Sequence, residues 1–162
     1  MAVSATYPAP TSARRTVALT FSLQGRSTRT ELASYILSAV LVTLAISFAT
    51  ALFAPYPVRA LVSDALTVLL AIPVPALLVR RLHDQGRSGK FVWLAVFAFM
   101  VWLVRTIIAN TLGMDARIGF DRMTWLIDWA VTFANLGAVI LAILPGTPGA
   151  NRFGPDPRQP SV

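Results

Sequence analysis

Cysteine is absent from the 162 residues, which excludes disulfides, thiolate metal sites, iron–sulfur clusters and cysteine nucleophiles together. The single histidine, His83, leaves no histidine pair for zinc or haem. Charge is also scarce. Only 13% of the residues are charged and only seven are acidic, against roughly 25% charged in an average soluble domain. So few charges could not cover a soluble globule of this size, and a disordered chain needs the opposite balance. What the sequence has in quantity is apolar: 56% of residues, with a mean hydropathy of +0.65. The composition points to a membrane protein.

Residues 1–20 are rich in Ala, Ser, Thr and Pro, contain no acid, and read as a mobile arm. A secretory signal would need an early apolar core, and none occurs before residue 32. An acid-free, Arg-bearing start also resembles an organelle transit peptide, but mature bacterial arms have the same look. Four long apolar runs follow, at 32–54, 60–79, 91–112 and 123–144. A bilayer span needs about 20 residues at 1.5 Å each, so each run is long enough to cross. Thr28 and Glu31 fit a capping box at the start of the first run. Pro55–Pro57, Arg80-Arg81, Gly113 and Pro145-Gly146 mark the ends of the four. The expected fold is all-α: a four-helix transmembrane bundle with short loops, a membrane domain over 21–157, and a Gly/Pro-rich C-terminal tail finishing at 158–162.

With four spans, both termini share a side with the loop at 80–90. That side holds ten of the fourteen Lys and Arg residues, and the other holds Arg59, Arg105, Arg117 and Arg122. The positive-inside rule therefore sets both termini in the cytoplasm. The acids Asp64, Asp115, Asp121 and Asp128 cancel the outer arginines, so the net charge of +7 faces anionic head groups. Nucleic acid is not needed to explain the pI of about 11.3, and no basic groove-reading helix is present. Trp125, Trp129 and Tyr56 fall near the outer interface and Trp93 near the inner one, as an aromatic belt requires.

Three unusual segments lie on the inner side: FSLQGRSTRTE at 21–31, RRLHDQGRSG at 80–89, and GTPGANRFGPDP at 146–157. In this order around hydrophobic spans, they resemble the YhaH-type bacterial inner-membrane proteins, a family classed as domain of unknown function 805. The resemblance covers roughly residues 21–157. It departs from the pattern at Lys90, which precedes Phe91 where aromatics usually follow, and in a longer stretch between the third and fourth spans. It implies a bacterial inner-membrane location and no established chemistry.

The residues themselves admit two readings of these segments. In the architectural one, Arg80 and Arg81 close a helix and snorkel to head groups, and His83-Asp84 sits in a connecting turn. Gly86 and Gly89 then supply special backbone angles, and the tail is a rigid non-helical strip. In the other, Arg26, Arg29, Arg80, Arg81, Arg87 and Arg152 converge on an anion, with His83 oriented by Asp84. The free N–H groups of Ser88 and Gly89 at a helix start would complete the face, together with Asn151. A lipid phosphate or a partner's carboxylates would suit it. The sequence at 86–90 departs from a phosphate loop at both diagnostic ends, so no nucleotide site follows.

Arg105 and Asp128 interrupt apolar spans, and counting along the helices puts them, with Asp64, about 6–9 Å below the outer surface. Pairing of Arg105 with Asp128 or Asp64 is expected, or snorkelling of Arg105 to the outer head groups. Pro73 and Pro75 on the second span, with Asn135 and Gly137 on the fourth, give a weaker pointer to a transporter-like pair of broken helices. The reading taken from these residues is a non-catalytic accessory or interaction subunit. It needs no cofactor, metal or nucleic acid, and its partners are anionic lipid and a membrane protein or a second copy. Small residues on the first span able to pack against neighbours (Ala33, Ser38, Ala39, Ala45, Ala49) suit helix association. A small oligomeric transporter and a lipid-phosphate enzyme acting at His83 are the alternatives.

Overall fold

The computed structural model describes residues 13–158; residues 1–12 of the expected arm and 159–162 of the expected tail lie outside the described residues. Among the described residues the chain is all-α without a strand, and four helices are long and apolar enough to cross a membrane. The helices are α1 (Ala13–Ala18), α2 (Arg29–Phe53), α3 (Tyr56–Ala71), α4 (Val74–Asp84), α5 (Val92–Leu112), α6 (Met114–Met123) and α7 (Trp125–Ile143). They fall into two compact units. Among the described residues, one comprises 13–89 and 145–158, and the other is 90–144.

In the first unit α2 runs antiparallel to α3 and α4, since Glu31 meets Arg80 and, a turn later, Tyr35 meets Leu70. Thr28 caps α2 as the sequence predicts: its hydroxyl accepts the Glu31 N–H at 3.1 Å. The Glu31 carboxylate turns to α1, where Arg15 and Thr16 bind it. Residues 13–18, expected as part of a mobile arm, are therefore helical and tied down, with Thr16 fully buried. Six residues are too few to hold a helix in water unaided. α1 exists because α2 gives its polar side chains a buried acid.

The second span is longer than its apolar run. Arg80-Arg81 do not end it; the helix continues through His83 to Asp84, so these residues are helical and not in a turn. The stop comes at Gly86 in a Schellman motif, with the Arg87 N–H on the Leu82 carbonyl at 2.9 Å and the Gly86 N–H on that of His83 at 3.0 Å. Gly86 takes the positive φ of 70° that this motif requires. Midway, Pro73 and Pro75 remove two N–H donors and divide the span into α3 and α4. The buried Tyr35 hydroxyl donates to the Leu70 carbonyl at 2.6 Å and so satisfies one acceptor at the break from the neighbouring helix.

In the second unit α5 packs on α6 and α7. The expected short loop after the third span contains instead the amphipathic α6, entered at Gly113 with φ of 90°. Asn135 and Gly137 leave α7 continuous, so no break matches the one at Pro73. Arg105 of α5 pairs with Asp128 of α7, as expected, and its Nε lies 2.9 Å from Asp121 of α6. Asp64, expected in the same cluster, stands on α3 in the first unit. On both units large apolar side chains point outward, among them Leu44, Phe48, Leu61, Phe97, Ile107, Phe133 and Val139. Lipid is their natural solvent, and there the packing of helices gains little from hydrophobicity. Polar contacts therefore carry much of the positioning.

Candidate functional site

Two carboxylates organise the end of the first unit where α2 begins and α4 ends. Glu31, fully buried, accepts from Arg15 Nη1 at 2.7 Å, Thr16 Oγ1 at 3.1 Å and Arg80 Nη2 at 3.4 Å. Arg80, also fully buried, spends its other Nη on the carbonyls of Leu19 and Ser22, both at 2.7 Å. Asp84, 1% exposed, is held by Arg26 through Nε at 3.0 Å and Nη2 at 2.9 Å, and by Arg81 at 2.6 Å. Arg158 reaches the same carboxylate at 3.5 Å. An unpaired charge in such a place would be expensive, whereas paired and hydrogen-bonded ones are tolerated.

The tail closes over this cluster. Arg26 donates to the carbonyls of Thr147 and Gly149, and Thr147 donates from N and Oγ1 to the Asp84 carbonyl at 2.8 and 3.0 Å. Gly146 passes so close that a Cβ there would fall 1.8 Å from Asp84 Oδ2, which explains why no larger residue stands at that position. Asn151 bridges the His83 carbonyl and the Thr147 hydroxyl, both at 3.0 Å, and accepts the Phe153 N–H. The His83 ring stacks on Phe153 with centroids 3.9 Å apart, and its Nδ1 lies 3.3 Å from the Gly25 carbonyl. His83 is thus oriented by Phe153 and Gly25, while the neighbouring Asp84 faces guanidinium groups. Arg152 lies over Phe153 and donates to the Gly86 carbonyl at 3.1 Å.

The structure brings together Arg26, Arg80, Arg81, His83, Asp84, Asn151 and Arg152. It commits Arg26 and Arg80 to internal partners and does not turn them outward to a ligand. Arg29 and Arg87 are exposed. Gly89 packs against Val79 and His83, where a Cβ would meet Val79 at 2.9 Å. Ser88 and Gly89 thus belong to the chain's return against α4. The third span does open here, as expected, but through a 3-10 turn at Gly89–Phe91 that runs into α5. Sequence reasoning missed Arg15, Thr147, Asp156 and Arg158. The available signal was the acids: Glu31, Asp84 and Asp156 each stand amid arginines and each gathers one strand of the cluster. Five guanidinium groups meet these three carboxylates, a surplus of two positive charges.

Asp156 ties the tail to itself: its carboxylate accepts from Arg158 Nε at 2.7 Å and from the backbone N–H groups of Arg158 and Gly149 at 3.0 Å. The Arg158 side-chain bond, aided by the two backbone donors, lowers its pKa from 3.8 to about 2. A lowered value means that folding favours the ionised acid. The stabilisation is therefore complete above about pH 4 and disappears as the pH falls through about 2. Protease sensitivity of the tail, measured by peptide mapping against pH with an acid-active protease, should rise across that interval in the wild type. In Asp156→Asn it should already be high at pH 5.

Among the described residues no three potential metal ligands gather. The family model described as "Protein of unknown function (DUF805)" matches residues 20–155, and the chain belongs to this family. No curated protein and no solved structure matches.

Proposed function

We propose that this DUF805 member is a non-catalytic accessory subunit of the bacterial inner membrane, with both termini cytoplasmic and its arginine-rich end at anionic head groups. The observation that carries the reading is the arginine–carboxylate cluster. Side chains able to serve chemistry are spent on joining α1, α2, α4 and the tail into one rigid end. The surplus positive charge then suits the anionic leaflet, in keeping with the ten-to-four division of Lys and Arg. General acid–base work would need a titrating group aimed at open space, whereas His83 lies flat on Phe153 and Asp84 is occupied by Arg26 and Arg81. A transport path through the Pro73 break is disfavoured by the Tyr35 side chain, which is buried there with its hydroxyl on the Leu70 carbonyl. Exposed Ala45 and Ala49 on α2 offer a close-packing face for another membrane helix.

Mild-detergent extraction from native membranes, with mass spectrometry of what co-purifies, tests the reading. A reproducible membrane-protein partner that is lost when Ala45 and Ala49 are changed to Leu supports it. A chain that purifies alone, or a phenotype abolished by His83→Ala in a normally folded protein, overturns it.

A further inference from the structure

We infer that the rim of the cluster is a binding site for the phosphate of an anionic phospholipid, an assignment that rests on the proposed placement of this end at the anionic leaflet. A cavity of about 340 Å³ opens between the start of α2 and the end of the tail, lined by Thr28, Arg29, Thr30, Arg81 and Arg158 beside the Asp84 carboxylate. Three guanidinium groups on three separate segments thus surround one space. Asp84 is already shared among Arg26, Arg81 and Arg158, so its charge is more than balanced. The Arg158 side chain is 40% exposed, and Arg29 and Thr30 are exposed. Arginine forks and hydroxyls are the donors a phosphate oxygen takes best. The first turn of the 25-residue α2 adds the favourable end of its dipole.

Two features select a lipid over a soluble phosphate. The cavity stands where the apolar stretch of α2 begins, which is head-group depth for a spanning helix. At about 100° per residue, Ile36, Val40 and Leu44 lie within about 60° of Arg29 on α2, and all three are exposed. A phosphate held by Arg29 and Arg158 would therefore have its acyl chain running down an apolar strip of the same helix.

The test is native mass spectrometry of the full-length protein in mixed micelles, titrated with phosphatidylglycerol, with phosphatidylcholine and with inorganic phosphate. The site predicts one phosphatidylglycerol retained in preference to phosphatidylcholine. Arg29→Gln should weaken that binding by about tenfold or more, the loss of one charge-assisted hydrogen bond. Arg87→Gln, an exposed arginine off the cavity wall, should leave it unchanged. Thr30→Val serves as a second wall variant should Arg29→Gln fold poorly, and a severalfold loss is expected. Equal weakening by Arg87→Gln and Arg29→Gln would reduce the effect to general surface attraction and overturn the site. Inorganic phosphate binding as tightly as the lipid would make the ligand a soluble one and overturn the lipid assignment. Termini found on the outer side by accessibility labelling would sink the leaflet reading alone, since Arg29-dependent lipid binding would survive it.

Discussion

Asp84→Asn is expected to destabilise the first unit by about 3–5 kcal/mol, the usual consequence of removing one partner from a buried ion pair. The substitution keeps the volume and one acceptor oxygen, but it deletes the charge and turns the other oxygen, an acceptor for an arginine, into an NH2 donor. Arg26 and Arg81, 2% and 1% exposed, would then face each other without a counter-ion. Because Arg26 also carries the carbonyls of Thr147 and Gly149, the loss should spread to the tail. A lowered melting temperature in detergent, together with faster tryptic cleavage at the exposed Arg152, would register it. Gly146→Ala should produce the same pattern by steric means, its Cβ meeting the Asp84 carboxylate. The two changes break one contact, so their combination should fall well short of the sum. Unchanged melting and cleavage in Asp84→Asn would refute the account of the cluster.

Glu31→Gln is the complementary experiment, with a comparable expected loss of about 3 kcal/mol or more. Here the groups that lose their carboxylate are Arg15 and Arg80, and the segment that depends on them is α1. Hydrogen exchange should show protection lost over 13–18 while the tail keeps its own, because Arg26, Asp84 and Thr147 are untouched. Asp84→Asn should give the reverse. Loss of both segments in either variant would mean that the two carboxylates form one cooperative structure and not two adjoining ones.

The spans were legible in the sequence because lipid imposes an uninterrupted apolar run, and the cap at Thr28 was legible because it is local. Hydropathy, however, locates the hydrocarbon and not the helix: Arg80 and Arg81 look like an end, yet the backbone continues to Asp84 because Glu31 and Asp84 neutralise them in place. α6 has no long apolar run. Its signal was fainter, Met114 and Ile118 one turn apart with Asp115 early and Arg122 late. The candidate site was half readable. Its members were visible as motifs, but the pairing of Arg26 with Asp84 across 58 residues is a property of the fold. The direction of the arginines was misjudged for the same reason: a charge count assigns them to a face, and only burial decides whether they look outward.

The order in which the chain is made adds a consequence. Arg158 lies 74 residues beyond Asp84, with all of α5, α6 and α7 between them. At about 5–20 residues per second, the ribosome delivers Arg158 roughly 4–15 s after its carboxylate partner. For that interval the nascent first unit holds Asp84 with its early arginines alone, and Gly146 and Thr147 arrive only after the second hairpin has been synthesised. Completion of the first unit is thereby postponed until α7 has been made, so chains stalled before residue 146 should be cleared by quality-control proteases even though all four spans are present.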